Sequence, residues 1–357
     1  MPNIKTNIAI LGCGRISKSH IAAIHKQKEK CNLIALCDTS EHNLDSAFEY
    51  AKNLFNNDEN FKTLKFNNFK KLLSEKNKNK IKIDLLVICT PSGLHPAQSI
   101  EAAKHKINIC TEKPMALTVK DGREMIRICK DEKVKLFVVK QNRLNSTLKD
   151  LKERIKQGKF GRIGIVNLNV FWHRPQSYYE QADWRGTKKL DGGALMNQAS
   201  HYVDLLEWLF GPIESVSATL ATISRDIESE DTAVLNFKWK DGTLGSMAVT
   251  MITYPKNIEG SITVIGDKGS AKVGGEALNK YEFFFFEDTF NENEINSTNY
   301  KIKNVYGSGH YEYYENMIDS LTNNGNPICD GESGLSSIKI INAAYLSSKK
   351  GERILIN

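Results

Sequence analysis

The chain has 357 residues, 40% of them hydrophobic and 25% charged, which is typical of a globular protein with two domains. It contains no apolar run approaching about 18 residues, so no transmembrane helix is indicated. The net charge is +7, but lysines are interspersed with asparagines, as in residues 75–80, so we interpret the charge as solvated surface and not as a nucleic-acid interface. A mild positive field would still favour an anionic small substrate.

The N-terminus and the cysteines indicate where the protein works. The first residues lead directly into an apolar strand, without the apolar region and cleavage site of a signal peptide. The seven cysteines form no C-x-x-C pair, and several lie inside apolar runs, such as Cys89. We therefore expect reduced, mostly buried thiols in a cytoplasmic protein. The scattered cysteines and histidines predict no metal site.

The first 140 residues alternate between apolar runs and helical patterns. Continuous apolar runs such as residues 83–89 are typical of parallel strands covered by helices on both faces. The alternation predicts a doubly wound α/β domain over residues 1–140. The predicted strands are 7–12, 31–37, 64–66, 83–89, 107–110 and 134–139; helices are predicted after the first strand, within residues 56–80, and at 41–54, 95–105 and 118–132.

The first strand ends in a glycine-rich turn, G-x-G-x-x-S, over residues 12–17. Its two glycines permit a tight turn and a close approach of the backbone to a pyrophosphate, whose charge the next helix N-terminus stabilises. The second strand ends at Asp38, where a carboxylate suits a ribose 2′-hydroxyl and repels a 2′-phosphate. The pattern predicts a Rossmann dinucleotide site that prefers NAD to NADP. A helix-capping role for Asp38 is compatible with this.

Two more strand ends bring polar groups to the same edge of the sheet. Thr90, Ser92 and His95 follow one strand, and Thr-Glu-Lys-Pro-Met-Ala-Leu, residues 111–117, follows the next. Ligands gather at such an edge. The proline holds Lys113 extended, and a lysine that is desolvated beside a cation can serve as an acid/base. The alternative is a simple strand-to-helix turn with two solvated charges.

The second part of the chain has a different pattern. A helix is predicted near residues 146–157 and a long strand at 161–172, and alternating runs without helices fill residues 213–287. Asp-Gly and Gly-Asp-Lys-Gly turns separate these runs, which indicates a mostly antiparallel sheet. We predict an α+β domain over residues 141–357, closed by helices at 309–323 and 334–349.

A stretch between the long strand and this sheet is rich in functional side chains. Asn197 and His201 are four residues apart after an Asp-Gly-Gly loop, so on one α-helix they would share a face. A histidine can carry protons near neutral pH, although a single helical histidine is usually structural. Arg174 and Arg185 stand among aromatic residues, as for surface cation–π pairs or for recognition of phosphate or carboxylate.

Together these motifs resemble the Gfo/Idh/MocA oxidoreductases along nearly the whole chain. The resemblance rests on Gly12-x-Gly14, Thr90-Pro91-Ser92-x-x-His95, Glu112-Lys113-Pro114 and Gly192-Gly193-Ala194-Leu195-Met196-Asn197-Gln198-x-x-His201-x-x-Asp204. It implies a Rossmann domain followed by an α/β domain with a large open sheet. The residues Trp172-x-Arg174-Pro175-Gln176-x-Tyr178-Tyr179 and Trp184-Arg185-Gly186-Thr187 further resemble the members that oxidise UDP-N-acetylglucosaminuronate (UDP-GlcNAcA) at its 3-hydroxyl with NAD.

The resemblance implies roles for individual residues. Many relatives have Asp where this chain has Asn197, and an amide cannot act as a base, so proton transfer falls to the expected catalytic residues, Lys113 and His201. The expected cofactor contacts are Gly12, Cys13, Gly14, Arg15, Ile16, Asp38, Thr90, Ser92, His95, Glu112, Lys113, Gln141, Trp184 and Arg185. The expected substrate contacts are Lys113, Arg143, Arg174, Tyr178, Arg185, Asn197, Gln198 and His201.

The resemblance also implies partners. The substrate would be a UDP-sugar for O-antigen or another surface polysaccharide, and 2-oxoglutarate is a candidate acceptor for the hydride of bound NADH. Relatives stack their open sheets, so we expect a homodimer or homotetramer. A dehydrogenase of another sugar or polyol, such as inositol, is the alternative within the class. A non-catalytic NAD-binding sensor is the alternative outside it.

Overall fold

The computed structural model describes residues 5–56, 61–275, 277–287, 299–300 and 309–356, so part of the predicted 56–80 stretch lies outside the described residues. The chain divides into two compact units. The first comprises Met1–Ala116, Lys120–Val139 and His310–Leu335, and the second comprises Leu117–Val119, Lys140–Gly309 and Ser336–Asn357.

The sheet of the first unit has six parallel strands in the order β3-β2-β1-β4-β5-β6. The predicted doubly wound fold is confirmed. Its chain order reverses between β1 and β4, which is where ligands bind in such sheets. The strands are β1 (Thr6–Leu11), β2 (Cys31–Cys37), β3 (Leu64–Phe66), β4 (Leu85–Ile88), β5 (Asn108–Thr111) and β6 (Leu136–Val138).

Local signals explain where helices of this unit begin. The side chain of Ser40 accepts a hydrogen bond from the Asn43 N–H at 3.3 Å, and Asn68 caps the following helix through the Lys71 N–H at 3.2 Å. The cap of the 41–54 helix is thus Ser40 and not Asp38. The helices are α1 (Ser17–Lys26), α2 (Glu41–Leu54), α3 (Phe69–Asn77), α4 (His95–Lys104) and α5 (Val119–Asp131).

The second unit contains an eight-stranded sheet in the order β13-β12-β11-β7-β10-β9-β8-β14. Only β7 and β10 pair in parallel; all other neighbours are antiparallel, which confirms the predicted, mostly antiparallel open sheet. The strands are β7 (Ile163–Phe171), β8 (Ile213–Ala221), β9 (Thr232–Trp239), β10 (Leu244–Thr250), β11 (Glu259–Gly266), β12 (Gly269–Gly274), β13 (Lys280–Phe286) and β14 (Ile354–Leu355).

One face of this sheet is apolar and covered. Along β9, Ala233, Leu235, Phe237 and Trp239 are buried, while the residues between them are not. Because burial alternates with a period of two residues, every second side chain lies in the core of the unit. The remaining helices are α6 (Ser146–Lys156), α7 (Gln176–Tyr179), α8 (Ser200–Phe210), α9 (His310–Asn323) and α10 (Gly331–Lys350). Within the described ranges, no helix is long and apolar enough to cross a bilayer.

One prediction about the local structure was wrong. Asn197 and His201 do not lie on one continuous α-helix, because Ala194–Gln198 form a π-helical turn and α8 starts at Ser200. The π turn follows two glycines with positive φ, Gly192 (88°) and Gly193 (90°). The α-helical spacing of four residues therefore does not describe this pair.

Candidate active site

Gly12 lies against the chain segment that follows β4. A Cβ atom at this position would be 2.6 Å from both the carbonyl carbon of Cys89 and the amide nitrogen of Thr90, and φ is +93°. Only glycine fits such a close approach of two backbones with a positive φ. Around Gly14, by contrast, a Cβ would meet nothing within 4 Å, which leaves open space above the turn.

Asp38 is tied to the glycine turn by its carboxylate. One oxygen accepts the Cys13 N–H at 2.6 Å, and the other accepts the Ser40 N–H at 2.8 Å. These bonds fix the carboxylate at the end of β2, next to the open space over Gly14. No side chain caps the start of α1. A glycine cradle, an uncapped helix N-terminus and an anchored acid fit a dinucleotide with a free ribose 2′-hydroxyl.

His95 connects two of the predicted strand-end loops. One ring nitrogen lies 2.8 Å from the carbonyl oxygen of Pro114, and the other lies 2.8 Å from the carbonyl oxygen of Thr90. The ring is buried, and burial lowers the pKa of His95 despite these two contacts. Both nitrogens contact the chain itself, so His95 holds the loops together. The Thr90 hydroxyl, in turn, donates to Gln98 at 2.5 Å.

Glu112 is buried directly before the predicted acid/base. Its Oε1 atom lies 2.9 Å from Nε2 of His20, and its Oε2 atom accepts the backbone N–H of Lys113 at 3.1 Å. Burial alone would raise the pKa of Glu112, but the hydrogen bond with His20 and the nearby imidazole of His310 hold it well below its ordinary value. Lys113 is half-buried, and its peptide bond to Pro114 is cis.

In the second unit, the predicted arginines and aromatic residues form a stack. The Arg174 guanidinium lies 5.1 Å from the Trp172 ring and 5.3 Å from the Tyr178 ring. The Arg185 guanidinium lies 4.3 Å from the Tyr178 ring and 4.7 Å from the Trp184 ring. These contacts hold both arginines among aromatic rings, and a guanidinium can bind carboxylate or phosphate in a bidentate manner.

Asp191 links this stack to the π turn. One of its oxygens accepts the Gly186 N–H at 2.7 Å, and the other accepts a hydrogen bond from the amide of Asn197. Asp191 is buried, so the two contacts provide the partners that a buried carboxylate requires. The structure therefore brings the Arg185 loop and Asn197 together through a residue to which the sequence assigned no role.

Glu230 holds the start of the π turn. Its backbone oxygen accepts the Ala194 N–H at 3.1 Å, and its carboxylate accepts the Leu195 N–H at 2.9 Å and the Tyr345 hydroxyl at 3.1 Å. A Cβ on Gly193 would lie 2.1 Å from this carboxylate. The external acceptors and the glycine explain why the chain does not enter a regular α-helix here. Burial raises the pKa of Glu230 to about 7.

Arg143 forms an internal ion pair. Its Nε and Nη2 atoms donate to the two oxygens of Asp204 at 2.8 and 2.7 Å, and Nζ of the buried Lys140 lies 3.4 Å from the same carboxylate. Burial would raise the pKa of Asp204, but these two cations keep it below its ordinary value. Two of the hydrogen-bond donors of Arg143 are thus occupied by Asp204. Asp204 follows the buried His201 by three residues on α8.

The other predicted residues take simpler positions. Arg15 is exposed, Ser92 and Gln141 are buried, and Gln198 is 5% exposed. Among the residues that the structure describes, Nε2 of Gln198 and Nε of Arg185 are buried without a hydrogen-bond acceptor. Sequence reasoning assigned no role to His20, Lys140, Glu230, His310 and Tyr345. Their contacts join distant parts of the chain, and no local pattern marks them.

Comparison with known proteins identifies the family. Residues 6–140 match the family profile described as "oxidoreductase family, NAD-binding Rossmann fold", and residues 152–356 match that of the "oxidoreductase family, C-terminal alpha/beta domain". The chain is 26% identical to the scyllo-inositol 2-dehydrogenase (NADP(+)) IolW of Bacillus subtilis, over 77% of this chain and 79% of that protein.

Two solved structures are more similar. The WlbA dehydrogenase of Bordetella pertussis, in complex with NADH and UDP-GlcNAcA, is 44% identical with a TM-score of 0.92, over 100% of this chain and 99% of that one. The WlbA dehydrogenase of Chromobacterium violaceum, with the same two ligands, is 44% identical with a TM-score of 0.90, over 100% and 98%. The chain therefore belongs to the Gfo/Idh/MocA family of oxidoreductases, and residues 6–140 are its NAD-binding Rossmann domain.

Proposed function

We propose that this chain oxidises the 3-hydroxyl of UDP-GlcNAcA to a ketone with NAD. The observation that carries the proposal is the 44% identity, over the full length of the chain, to two WlbA dehydrogenases that bind NADH and UDP-GlcNAcA. The stacked arginines and the NAD-compatible cradle support it. The inositol dehydrogenase relative is less similar, at 26% identity.

Lys113 is the acid/base in this proposal. Bound NAD supplies the hydride acceptor, and the residues of the chain handle the proton. The ε-amine of Lys113 accepts the proton of the sugar hydroxyl, directly or in relay with His201, as the C3 hydrogen leaves as hydride. The backbone of Lys113 is held by Glu112, and the next residue by His95. A fixed base can take the proton within hydrogen-bond distance, as general base catalysis requires.

Polar groups of the second unit recognise the substrate. Arg174, Arg185 and Tyr178 bind the acidic parts of the UDP-sugar, that is, its carboxylate and diphosphate. Asn197 and Gln198 orient the hexose ring. In the described part of the chain, the buried donors of Gln198 and Arg185 lack acceptors, which costs about 1–3 kcal/mol each unless a ligand provides one. An oxygen-rich substrate supplies such acceptors. Arg143 contributes to substrate recognition indirectly, through its ion pair with Asp204.

Asp38 selects the cofactor. Its carboxylate is anchored by two backbone N–H groups, so it cannot turn away from a 2′-phosphate without losing both bonds. The negative charge of the Asp38 carboxylate repels the 2′-phosphate of NADP, and the site therefore prefers NAD to NADP. Trp184, Arg185 and Gln141 complete the set of expected cofactor contacts.

A second copy of this chain covers the open face of the large sheet. In the pairing register, Leu244 is opposite Ile165, and Ile165 is opposite Ile265; the row continues to Phe285 through Ser270. Leu244, Ile165 and Phe285 are 54%, 51% and 52% exposed. Such an exposed apolar row marks an interface. We propose a homodimer or homotetramer, and Ile165→Lys should shift the molar mass measured by light scattering towards the monomer.

In this proposal the enzyme acts in the cytoplasm, before 3-amination of a sugar for O-antigen or another surface polysaccharide. 2-Oxoglutarate would reoxidise the NADH that is formed. Turnover of UDP-GlcNAcA, UDP-GlcNAc, scyllo-inositol and myo-inositol with NAD or NADP tests the substrate class. We expect UDP-GlcNAcA to be oxidised with formation of NADH. More of the oxidised sugar should form when 2-oxoglutarate is added. Faster turnover of an inositol would contradict the proposal, and inactivity with all sugars would favour a sensor.

A further inference from the structure

Three buried side chains of the first unit converge around Glu112. His20 on α1, Glu112 after β5 and His310 at the start of α9 each offer one ligand atom, and these atoms lie within 4.8 Å of one another. His20 is 0% exposed, Glu112 7% and His310 5%. Two imidazoles and a carboxylate form a donor set that is common in protein metal sites.

Hydrogen bonds do not engage every buried polar atom of this cluster. His20 reaches Oε1 of Glu112 at 2.9 Å, but Nε2 of His310 is 4.0 Å from the same oxygen, too far for a hydrogen bond. Among the residues described by the structure, this buried nitrogen has no hydrogen-bond partner. It is therefore a buried polar atom that lies near an anionic oxygen without being hydrogen-bonded to it. A cation between the three groups would bind all of them.

The distances fit one small ion. Zinc lies about 2.0–2.2 Å from nitrogen and oxygen ligands, so two donors on one ion are about 3.3 Å apart at a tetrahedral angle and about 4.2 Å apart when opposed. The observed separations of 2.9 and 4.0 Å lie about 0.4 Å below and about 0.7 Å above the tetrahedral value, so shifts of less than about 1 Å would bring these donors onto one ion. The rings of His20 and His310 are arranged edge to face, at 87° with centroids 5.4 Å apart.

The surroundings also resemble an outer coordination shell. Metal-bound histidines usually hydrogen-bond through their second ring nitrogen, and ligating carboxylates are likewise held. Here Nδ1 of His20 lies 2.9 Å from the Tyr314 hydroxyl, and Oε2 of Glu112 accepts the Lys113 N–H at 3.1 Å. Both contacts use the outer atoms, while the inward atoms, Nε2 and Oε1, lie 2.9 Å from each other in a hydrogen bond that an ion would replace.

We propose that His20, Glu112 and His310 bind one divalent transition-metal ion of the zinc class. The ion has a structural role, because it fixes the carboxylate that holds the backbone of Lys113. Metal binding at this site needs no substrate or nucleotide. It can therefore be tested independently of the proposed dehydrogenase activity.

The test is zinc binding by the full-length, tag-free protein after treatment with EDTA. Competition with a chromogenic chelator gives stoichiometry and affinity, without NAD or sugar. We expect one Zn²⁺ per chain. His310→Ala and His20→Asn should each weaken binding by at least about tenfold, since loss of an outer-shell partner alone costs about 10–100-fold. In His20→Asn, the asparagine can still meet the Tyr314 hydroxyl.

His105→Ala is the matched control, because Nε2 of His105 is 3.4 Å from Glu101 and, among the residues with described positions, His105 belongs to no cluster of three metal-ligating side chains. It should bind zinc as the parent does. Circular dichroism confirms that each variant is folded. Absence of stoichiometric binding in the parent, or unchanged affinity in a folded His310→Ala protein, would overturn the proposal.

Discussion

Replacing Glu230 by glutamine should remove a pH dependence of stability from the second unit. In the folded protein, burial raises the pKa of Glu230 from its ordinary value of 4.5 to about 7. A shift of about 2.5 units corresponds to about 3 kcal/mol. Glutamine has the same shape and can still accept the Leu195 N–H through its amide oxygen.

The direction follows from proton binding. Below pH 4.5, Glu230 is protonated in both the folded and the unfolded chain, and its contribution is fully present. As the pH rises towards 7, the unfolded chain releases the proton while the folded chain retains it, so the free energy of unfolding falls by about 3 kcal/mol and then levels off. The uncharged glutamine makes no such contribution.

Urea unfolding of both proteins between pH 4.5 and 7.5 measures the difference. All four tryptophans lie in the second unit, at 172, 184, 208 and 239, so tryptophan fluorescence reports on that unit. The stability of Glu230→Gln relative to the parent should rise by about 3 kcal/mol over this range. The exposed Glu228, changed to glutamine, is the control. A constant difference in stability between parent and Glu230→Gln across the range would show that Glu230 does not titrate with a raised pKa in the folded protein.

Further substitutions test the remaining assignments. Lys113→Met should lower kcat about 10²–10⁴-fold at saturating NAD, because a general base contributes that much; retained turnover would exclude the role. Gly12→Ala should abolish NAD binding in fluorescence titrations, since its Cβ would overlap the backbone at Cys89 and a positive φ costs about 1–2 kcal/mol. Asp38→Ser should raise kcat/KM with NADP relative to NAD, and an unchanged ratio would contradict repulsion of the 2′-phosphate. Asp191→Asn should raise KM for the sugar more than it lowers kcat, because it loosens the Arg185 loop, and an unchanged KM would argue against that link.

Periodicity and local turn chemistry predicted most of the fold. Strand β2 at residues 31–37 and helix α2 at 41–54 were predicted with the observed bounds, because apolar runs and a serine cap are local signals. The glycine turn is also local, and the positive φ at Gly12 requires the residue type that marks it. The mostly antiparallel sheet followed from alternation and turns, whereas the parallel β7–β10 pairing carries no local signature.

The site was predictable only in part. Lys113, Asn197 and Gln198 stand in motifs that a sequence shows directly. The π turn was missed because its cause is remote: the carboxylate of Glu230 lies 35 residues from the Leu195 N–H that it accepts. The cluster around Glu112 was missed for the same reason, since His20 is 92 residues away. Such contacts depend on tertiary packing, which periodicity does not specify.

The proposed reaction transfers a hydride from C3 of UDP-GlcNAcA to NAD. It is tested most directly with UDP-GlcNAcA that carries deuterium at C3, followed by mass spectrometry of the NADH formed in a reaction without 2-oxoglutarate. Each NADH should carry one deuterium, and turnover should be slower than with the unlabelled sugar. NADH without deuterium, or recovery of the label in the oxidised sugar, would contradict it.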